Sequence, residues 1–430
     1  MNRFVVPLSS PLAADAERVG PKAANLARLD RAGLPTPGGF CLTADAYRHQ
    51  IDALGLGRAV AQFATADPRS ARLLSVEIRL GLYEQPLAPA LAEALLAVWR
   101  SYREAIPTAW AVRSSALVED RADANFAGQF ESFLGIEEEA DFLTAVRACW
   151  AALWTSNARR YMENHGLNPA ATAMAVLIQP LIAARVSGGG LSETAEGNML
   201  ISATWGLGSA IAQGEVVPDR IVLSRQAFVR SIQAGRKDHR DTCGHGRGNG
   251  QVAPQAVPKE LVRELCLTPG QATELGRMLR KCEDLLGMPV EIEWALDEAG
   301  FKLLQARPLH VQATLVPDDI WLQHPKLAGH PAGVGWGAGR AVVVQCECEL
   351  SRVAPGDILV TRVAGPALSH ILPQVGGVVA ELGGSTSHLA SLARERGIPA
   401  VLGVLDATVT IPDGAQVAVD GVAGIVRWIA

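Results

Sequence analysis

The stretch GGVVAELGGSTSHLASLARERGIPAV, residues 376–401, constrains the fold more than any other part of this chain. An apolar run ends near Glu381, Gly383 and Gly384 permit a tight turn, and Ser385 or Thr386 can cap a helix. The helix presents Leu389, Leu392 and Ala393 on one side and stops at Gly397, with Pro399 beyond. A strand, a glycine turn and an amphipathic helix need a sheet to lie on. From about Gly333 onward the sequence supplies it in short β-like runs: AVVVQ, GDILVT, GGVVA, AQVAVD and GIVRWI. The back of the chain therefore reads as a compact α/β domain of about 100 residues, able to fold alone and to swing.

This reading places His388 in the first turn of its helix. The positive helix end disfavours imidazolium, which keeps a neutral, nucleophilic ring near pH 7, and the free N–H groups there favour an attached phosphoryl group. Histidines beside helix caps also commonly do no more than hydrogen-bond their neighbours, and position alone leaves both readings open.

The front part alternates helical and strand-like segments. Pro21–Ala32 reads as a helix opened by Pro21 and closed by Gly33. AEALLAVWRSYREA and DFLTAVRACWAALWTSNARRYM read as two further helices, and WAVR, AMAVLIQPLI and NMLISATW as strands. The polar, glycine-rich residues 235–257 read as an exposed loop; His239 and His245 in it invite a metal or phosphate reading, but nothing apolar flanks them to fix their positions. A helix over Thr268–Leu286 follows, then a hairpin of PVEIEWAL and FKLLQAR joined by DEAG. Residues 311–328 read as a connection that spans at most about 50 Å when extended. The expected domains are thus 1–310 in front, with two subdomains, and 329–430 behind.

Four patterns in the front part suit a nucleotide. Lys22 lies in a first helical turn, where a cation adds a point charge suited to phosphate. Arg113 ends a strand and leads into a small-residue stretch containing Gly128, a flexible cover for phosphates. Glu291 and Glu293, two apart on a strand, share one face, while Val290, Ile292 and Trp294 take the other. Gln305 and Arg307 share a face of the next strand by the same rule, so the hairpin can gather carboxylates of the kind Mg²⁺ prefers beside an amide and a guanidinium. A solvated face of Glu–Arg pairs fits the same pattern. The glycine-interrupted turn in SATWGLGSAIAQG is a weak fourth signal.

With 39 basic and 44 acidic residues the net charge is −5, which gives no electrostatic reason to expect nucleic acid or an anionic membrane as partner. The first residues lack a signal-peptide pattern, and no apolar run is long enough to span a bilayer, so a cytoplasmic protein is expected. The seven cysteines read as reduced thiols; Cys346 and Cys348, two apart in a strand-like run, would share a face and suit neither zinc nor a disulfide.

Taken together, these segments resemble the phosphoenolpyruvate synthase and pyruvate phosphate dikinase family. GGSTSHLASLARERGIPAV is similar to its phosphohistidine signature, VGPKAANL, AVRSSALVED, NFAGQFESFL, VEIEWAL and LLQARP to its ATP-grasp nucleotide domain. The implied fold is α/β (α+β), an ATP-grasp nucleotide-binding domain followed by a small swivelling phosphohistidine domain. The resemblance implies His388 as phosphoryl carrier, with Thr386 and Arg307 beside it in catalysis. It implies Lys22, Arg113, Gln179, Gly128 and Gln305 as ATP contacts, and Glu291, Glu293 and Gln305 around Mg²⁺. The implied reaction is an AMP-forming relay: ATP's β-phosphoryl group passes to His388 and then to a small-molecule hydroxyl or enol acceptor.

The chain also departs from that family. The family commonly continues into a pyruvate-binding barrel, whereas this sequence stops at Ala430, so the acceptor site is expected on a partner subunit or at the domain interface. Pro21 replaces a usual glycine, SGGGLSETAEG lacks the usual SGVLFT and the DP that follows it, and Ser209 stands where an acid is usual. A degenerate nucleotide-binding regulatory subunit and an ATP-grasp ligase are the competing readings.

Overall fold

The computed structural model describes residues 3–119, 130, 132–243, 252–309, 324–362 and 365–429. The chain divides into two compact units. One comprises 1–183, 243–253 and 302–307, the other 184–242, 254–301 and 308–430.

In the first unit a five-stranded antiparallel sheet runs in the order Val5–Pro7, Phe40–Leu42, Met174–Pro180, Trp110–Ala116, Ser132–Ile136. Its central strand, MAVLIQP, is buried at every residue, as a continuous apolar run requires. Trp110 packs beneath Trp99 from the helix Pro89–Ala105, and Trp99 stacks on Phe142 with centroids 4.0 Å apart. The helix Pro68–Glu84, capped by Asp67, turns Ala71, Ser75, Ile78 and Leu82 inward at helical spacing. The predicted helix at Pro21 exists, continuous with a preceding turn from Ala16 but broken at Gly20, whose φ is +78°. A Cβ at Gly20 would fall 2.3 Å from the Ser115 carbonyl oxygen, so only glycine admits this approach. The single helix expected from DFLTAVRACWAALWTSNARRYM is two, Glu139–Ala152 and Ser156–Asn164. Thr155 breaks it by accepting a hydrogen bond from Ala158 N as an N-cap.

The second unit holds two sheets. One places Val290–Asp297, Val186–Leu191, Met199–Trp205, Asp219–Leu223 and Val229–Gln233 side by side, all antiparallel. The strand Gly300–Pro308 begins in this unit. The helix Pro269–Leu286 has the capping box of Thr268 and Gln271 and ends at left-handed Gly287. The other sheet has eight strands in the order Lys326–Ala328, Ile425–Ile429, Gln416–Asp420, Trp336–Val344, Ile358–Thr361, Gly377–Ala380, Ala400–Leu402, His330–Pro331. Its centre, Trp336–Val344 to Ala400–Leu402, is parallel, as an α/β unit needs, and buries Val360, Val379 and Val401 against Val417 of the antiparallel strand Gln416–Asp420.

Two expectations change here. Residues 235–257 are not one loop: His239–Cys243 and Val252–Ala256 form a two-stranded sheet, and Lys237 is fully buried against Asp219. Asp219 also accepts from Gly235 N and Cys266 N, so polar sequence here marks a satisfied buried ion pair. His239 faces Glu215 at 3.3 Å, and His245 lies outside the described residues. Residues 326–328, read as connection, pair with Ile425–Arg427.

Cys346 and Cys348 form a disulfide. The strand ends at Val344, and the chain turns through Cys346 into a 3₁₀ helix, bringing the two Cα atoms to 5.4 Å. Cys41, Cys149, Cys266 and Cys282 are buried and belong to no disulfide, and burial pushes the Cys41 and Cys282 thiols up to about 12.

Candidate functional site

The first unit carries four of the predicted nucleotide contacts. The Gly20–Pro21 break sets Lys22 in a first turn, where it is buried. Its Nζ lies 2.5 Å from Glu119 Oε1 and donates to Ser114 O at 2.9 Å. Arg113, on the strand Trp110–Ala116, donates to the Leu304 carbonyl and to Gln305 Oε1, both at 3.3 Å. Arg307 is buried on the same short segment as Gln305. Gln179 is buried near the end of the central strand, and its Nε2 donor has no partner among the described residues. An orphaned buried amide donor is costly unless a ligand satisfies it. Gly128 lies outside the described residues.

The second unit carries the acids and the histidine. Glu291 stands opposite Leu191, and Glu293 opposite Gly189, so both carboxylates face one side as predicted. Ile292 and Trp294 take the other; Ile292 packs beside Gly190 and Leu279, and Trp294 donates its indole N–H to Gly189 O at 3.1 Å. The same row of the sheet continues from Gly189 to Ser202 and Arg220.

The histidine segment rests on this carboxylate face. Where a Cβ would project from Gly189, Thr386 occupies the space, its own Cβ only 2.6 Å from that point. Ser391 Oγ donates to Glu291 at 3.0 and 3.3 Å, and Arg394 Nη2 lies 3.0 Å from Glu291 Oε2. His388 is the first residue of the helix His388–Glu395, half-buried. Ser387, rather than the expected Ser385 or Thr386, caps that helix, accepting from Ala390 N at 3.3 Å. Ser385 instead donates to Pro331 O, and the Thr386 hydroxyl is buried without a partner among the described residues. Ser187, Ser202 and Thr204 on the sheet face have hydroxyls in the same condition. A cluster of unsatisfied hydroxyls flanked by carboxylates is polar surface prepared for an oxygen-rich ligand.

Sequence reasoning missed Ser391, Arg394 and Gly189. Arg394 carried one signal, a basic residue in the last turn of the predicted helix, but its partner lies 103 residues away. No group of three or more His, Cys, Asp or Glu gathers as a metal cluster among the described residues. No described helix is long and apolar enough to cross a membrane.

The family pattern described as pyruvate phosphate dikinase, AMP/ATP-binding domain, matches residues 16–320. The chain belongs to the pyruvate phosphate dikinase family. A second pattern, the mobile domain of PEP-utilising enzymes, matches residues 353–424, which include His388 and its helix. Among curated relatives of this family, a phosphoenolpyruvate synthase of Pyrococcus furiosus is 30% identical over 96% of this chain and 57% of its own length. Those of Aeropyrum pernix and Escherichia coli are each 31% identical, over 95% and 96% of this chain and 56% of their own lengths. The chain thus spans little more than half the length of these relatives. The expected fold class, a nucleotide-binding domain of this family followed by its mobile domain, is what the two patterns give.

Proposed function

We propose that this protein is an ATP-dependent, AMP-forming phosphotransferase that carries ATP's β-phosphoryl group on His388. The observation that carries this reading is the seating of the His388 helix on the Glu291 and Glu293 face, through Thr386 over Gly189 and Arg394 on Glu291. The carboxylates suit the Mg²⁺ that accompanies a triphosphate and the hydroxyls can donate to its oxygens, so a nucleophile seated here is close to groups that handle phosphate.

In the first step an imidazole nitrogen of His388 bonds to the β-phosphorus. The bond from that phosphorus to the oxygen bridging it to the α-phosphorus breaks, and AMP departs with that oxygen. The γ-phosphoryl group then passes to water or to inorganic phosphate. The positive end of the helix that opens after Ser387 favours the anion now attached. The hydroxyl of Thr386, two residues before His388 and without a partner among the described residues, can donate to that group. In the second step the mobile domain presents phospho-His388 to a hydroxyl or enol acceptor, bound on a separate subunit or at the domain interface, and the acceptor oxygen replaces nitrogen on phosphorus.

Lys22 and Arg113 supply positive charge to the triphosphate, Gln179 offers its orphaned amide donor to the nucleotide, and Gln305 and Arg307 hold the transferred groups. The oxygens of Glu291 and Glu293 in the second unit, and separately that of Gln305 in the first, are hard donors of the kind Mg²⁺ prefers beside phosphate. Glu291 can contribute only by exchanging its contact with Arg394. The setting is the cytoplasm, where ATP is abundant.

The test is isotopic. Label from [β-³²P]ATP, but not from [α-³²P]ATP, should become acid-labile and base-stable on the protein, with AMP released, and should vanish in His388→Ala. Turnover that survives His388→Ala would favour a ligase acting through the front domain alone, and no AMP with any acceptor would favour a regulatory subunit.

A further inference from the structure

The helix Pro68–Glu84 has two apolar faces, and only one is used. Ala71, Ser75, Ile78 and Leu82 enter the core. Leu73, Val76, Leu80 and Tyr83 stand in solvent at 67, 49, 47 and 48% exposure. Their spacing of three, four and three residues is that of the a and d positions of two successive heptads. Scattered exposed apolar residues are ordinary, but a periodic stripe along one helix is a contiguous patch of the kind that marks an interface.

The charges beside this stripe are ordered as well. With Leu73 and Leu80 at a, the g positions are Arg72 and Arg79 and the e positions are Glu77 and Glu84, all four exposed. One flank is basic and the other acidic. Five residues separate Arg72 from Glu77 and Arg79 from Glu84, a spacing at which side chains do not meet on one helix. Among the described residues none of the four has an ion-pair partner in its own chain. The helix therefore carries charges it cannot pair internally.

We infer that this face docks a second copy of the same chain, helix against helix, parallel and in register. In a parallel pair each g residue meets the e residue five positions on in its partner, so Arg72 meets the second copy's Glu77 and Arg79 its Glu84, in both directions. An antiparallel pair would bring g to g and e to e, arginine against arginine and glutamate against glutamate. The charge pattern thus selects orientation as well as occupant. The two-fold axis runs along the helices, an isologous contact that closes on itself. Two heptads form a small interface, below the roughly 1,200 Å² of stable complexes, so the pairing is reversible.

Sedimentation of the full chain over a range of concentrations tests this. Wild-type protein should pass from monomer to dimer as concentration rises. Leu73→Glu/Leu80→Glu should stay monomeric at about tenfold higher concentration, with unchanged thermal unfolding because both residues lie outside the core. Arg72→Glu/Arg79→Glu, and separately Glu77→Arg/Glu84→Arg, should each weaken dimerisation about tenfold or more by placing like charges across the seam. The fourfold exchange in one chain should restore it. Leu73→Cys should cross-link to itself under mild oxidation, identified by peptide mapping, because parallel register sets the two copies of that position together. An antiparallel pair would hold them roughly 15 Å apart. A monomer at every concentration, a larger oligomer, a dimer indifferent to these changes, a fourfold exchange that restores nothing, or a Leu73→Cys that does not self-link would each overturn the proposal. A different protein bound at this face with no self-association would overturn it too.

Discussion

Arg394 closes onto Glu291 across 103 residues of sequence, with Nη2 3.0 Å from Oε2 and both side chains almost sealed from solvent. The guanidinium also donates to Ser385 O and Ala332 O, so it ties the turn before His388 to the carboxylate strand. A buried ion pair adds little over an apolar replacement, but removing one partner leaves the other stranded.

Arg394→Ala should therefore destabilise the protein by about 3–5 kcal/mol, measured by denaturant unfolding. Glu291→Leu should cost a similar amount, and the pair Glu291→Leu/Arg394→Met should recover most of the loss. Strict additivity in this cycle would mean that the two side chains do not act as a unit.

Gly189 admits Thr386 where a side chain would collide with it. Gly188 and Gly190 flank Gly189 on the strand, so this stretch carries little side-chain bulk beneath the histidine segment. Gly189→Val suits a strand and should fold. It should slow phosphorylation of His388 about tenfold or more while ATP binding is retained, and an unchanged rate by quench-flow labelling would show that the contact is incidental.

His330 gives the fold a pH dependence. It is buried, its Nδ1 has no partner among the described residues, and burial, aided by the nearby charge of Arg220, lowers its pKa to about 4. Above about pH 6.5 both folded and unfolded chains hold it neutral, and stability is unaffected. As pH falls through 6.5 the unfolded chain takes up a proton that the folded one refuses until about 4, so stability declines across that window by about 3 kcal/mol. His330→Gln should flatten the unfolding free energy between pH 6.5 and 4; an identical slope would assign the effect to other groups.

Lys22 has two oxygen partners in this structure, Glu119 and Ser114 O. If it also meets phosphate, Lys22→Met should reduce the rise in unfolding temperature caused by ATP, corresponding to about tenfold weaker binding. An ATP-induced shift equal to that of wild type would remove Lys22 from the nucleotide site.

What the sequence disclosed was local. Helix starts at Pro21 and Thr268, the alternation that puts Glu291 and Glu293 on one face, and the strand–glycine–helix unit around His388 all follow from spacing and caps within a dozen residues. The partners of those elements were not legible. Nothing near Arg394 names Glu291, and nothing near Gly189 names Thr386. The buried pair of Lys237 and Asp219 sits inside a polar, glycine-rich stretch, so composition argued for a loop where neutralised charge permits strands. The Cys346–Cys348 disulfide escaped because the expected strand ends two residues early, at Val344. Ser209, placed where the resembled family has an acid, donates to Asp241, so a carboxylate returns to that position from a strand 32 residues downstream.

The central claim is that His388 carries phosphorus. Protein incubated with Mg-ATP, quenched in base and digested should yield the His388 peptide heavier by one phosphoryl group, in proportion to the AMP released. AMP released in stoichiometric amount with the His388 peptide unmodified and another side chain phosphorylated would contradict it.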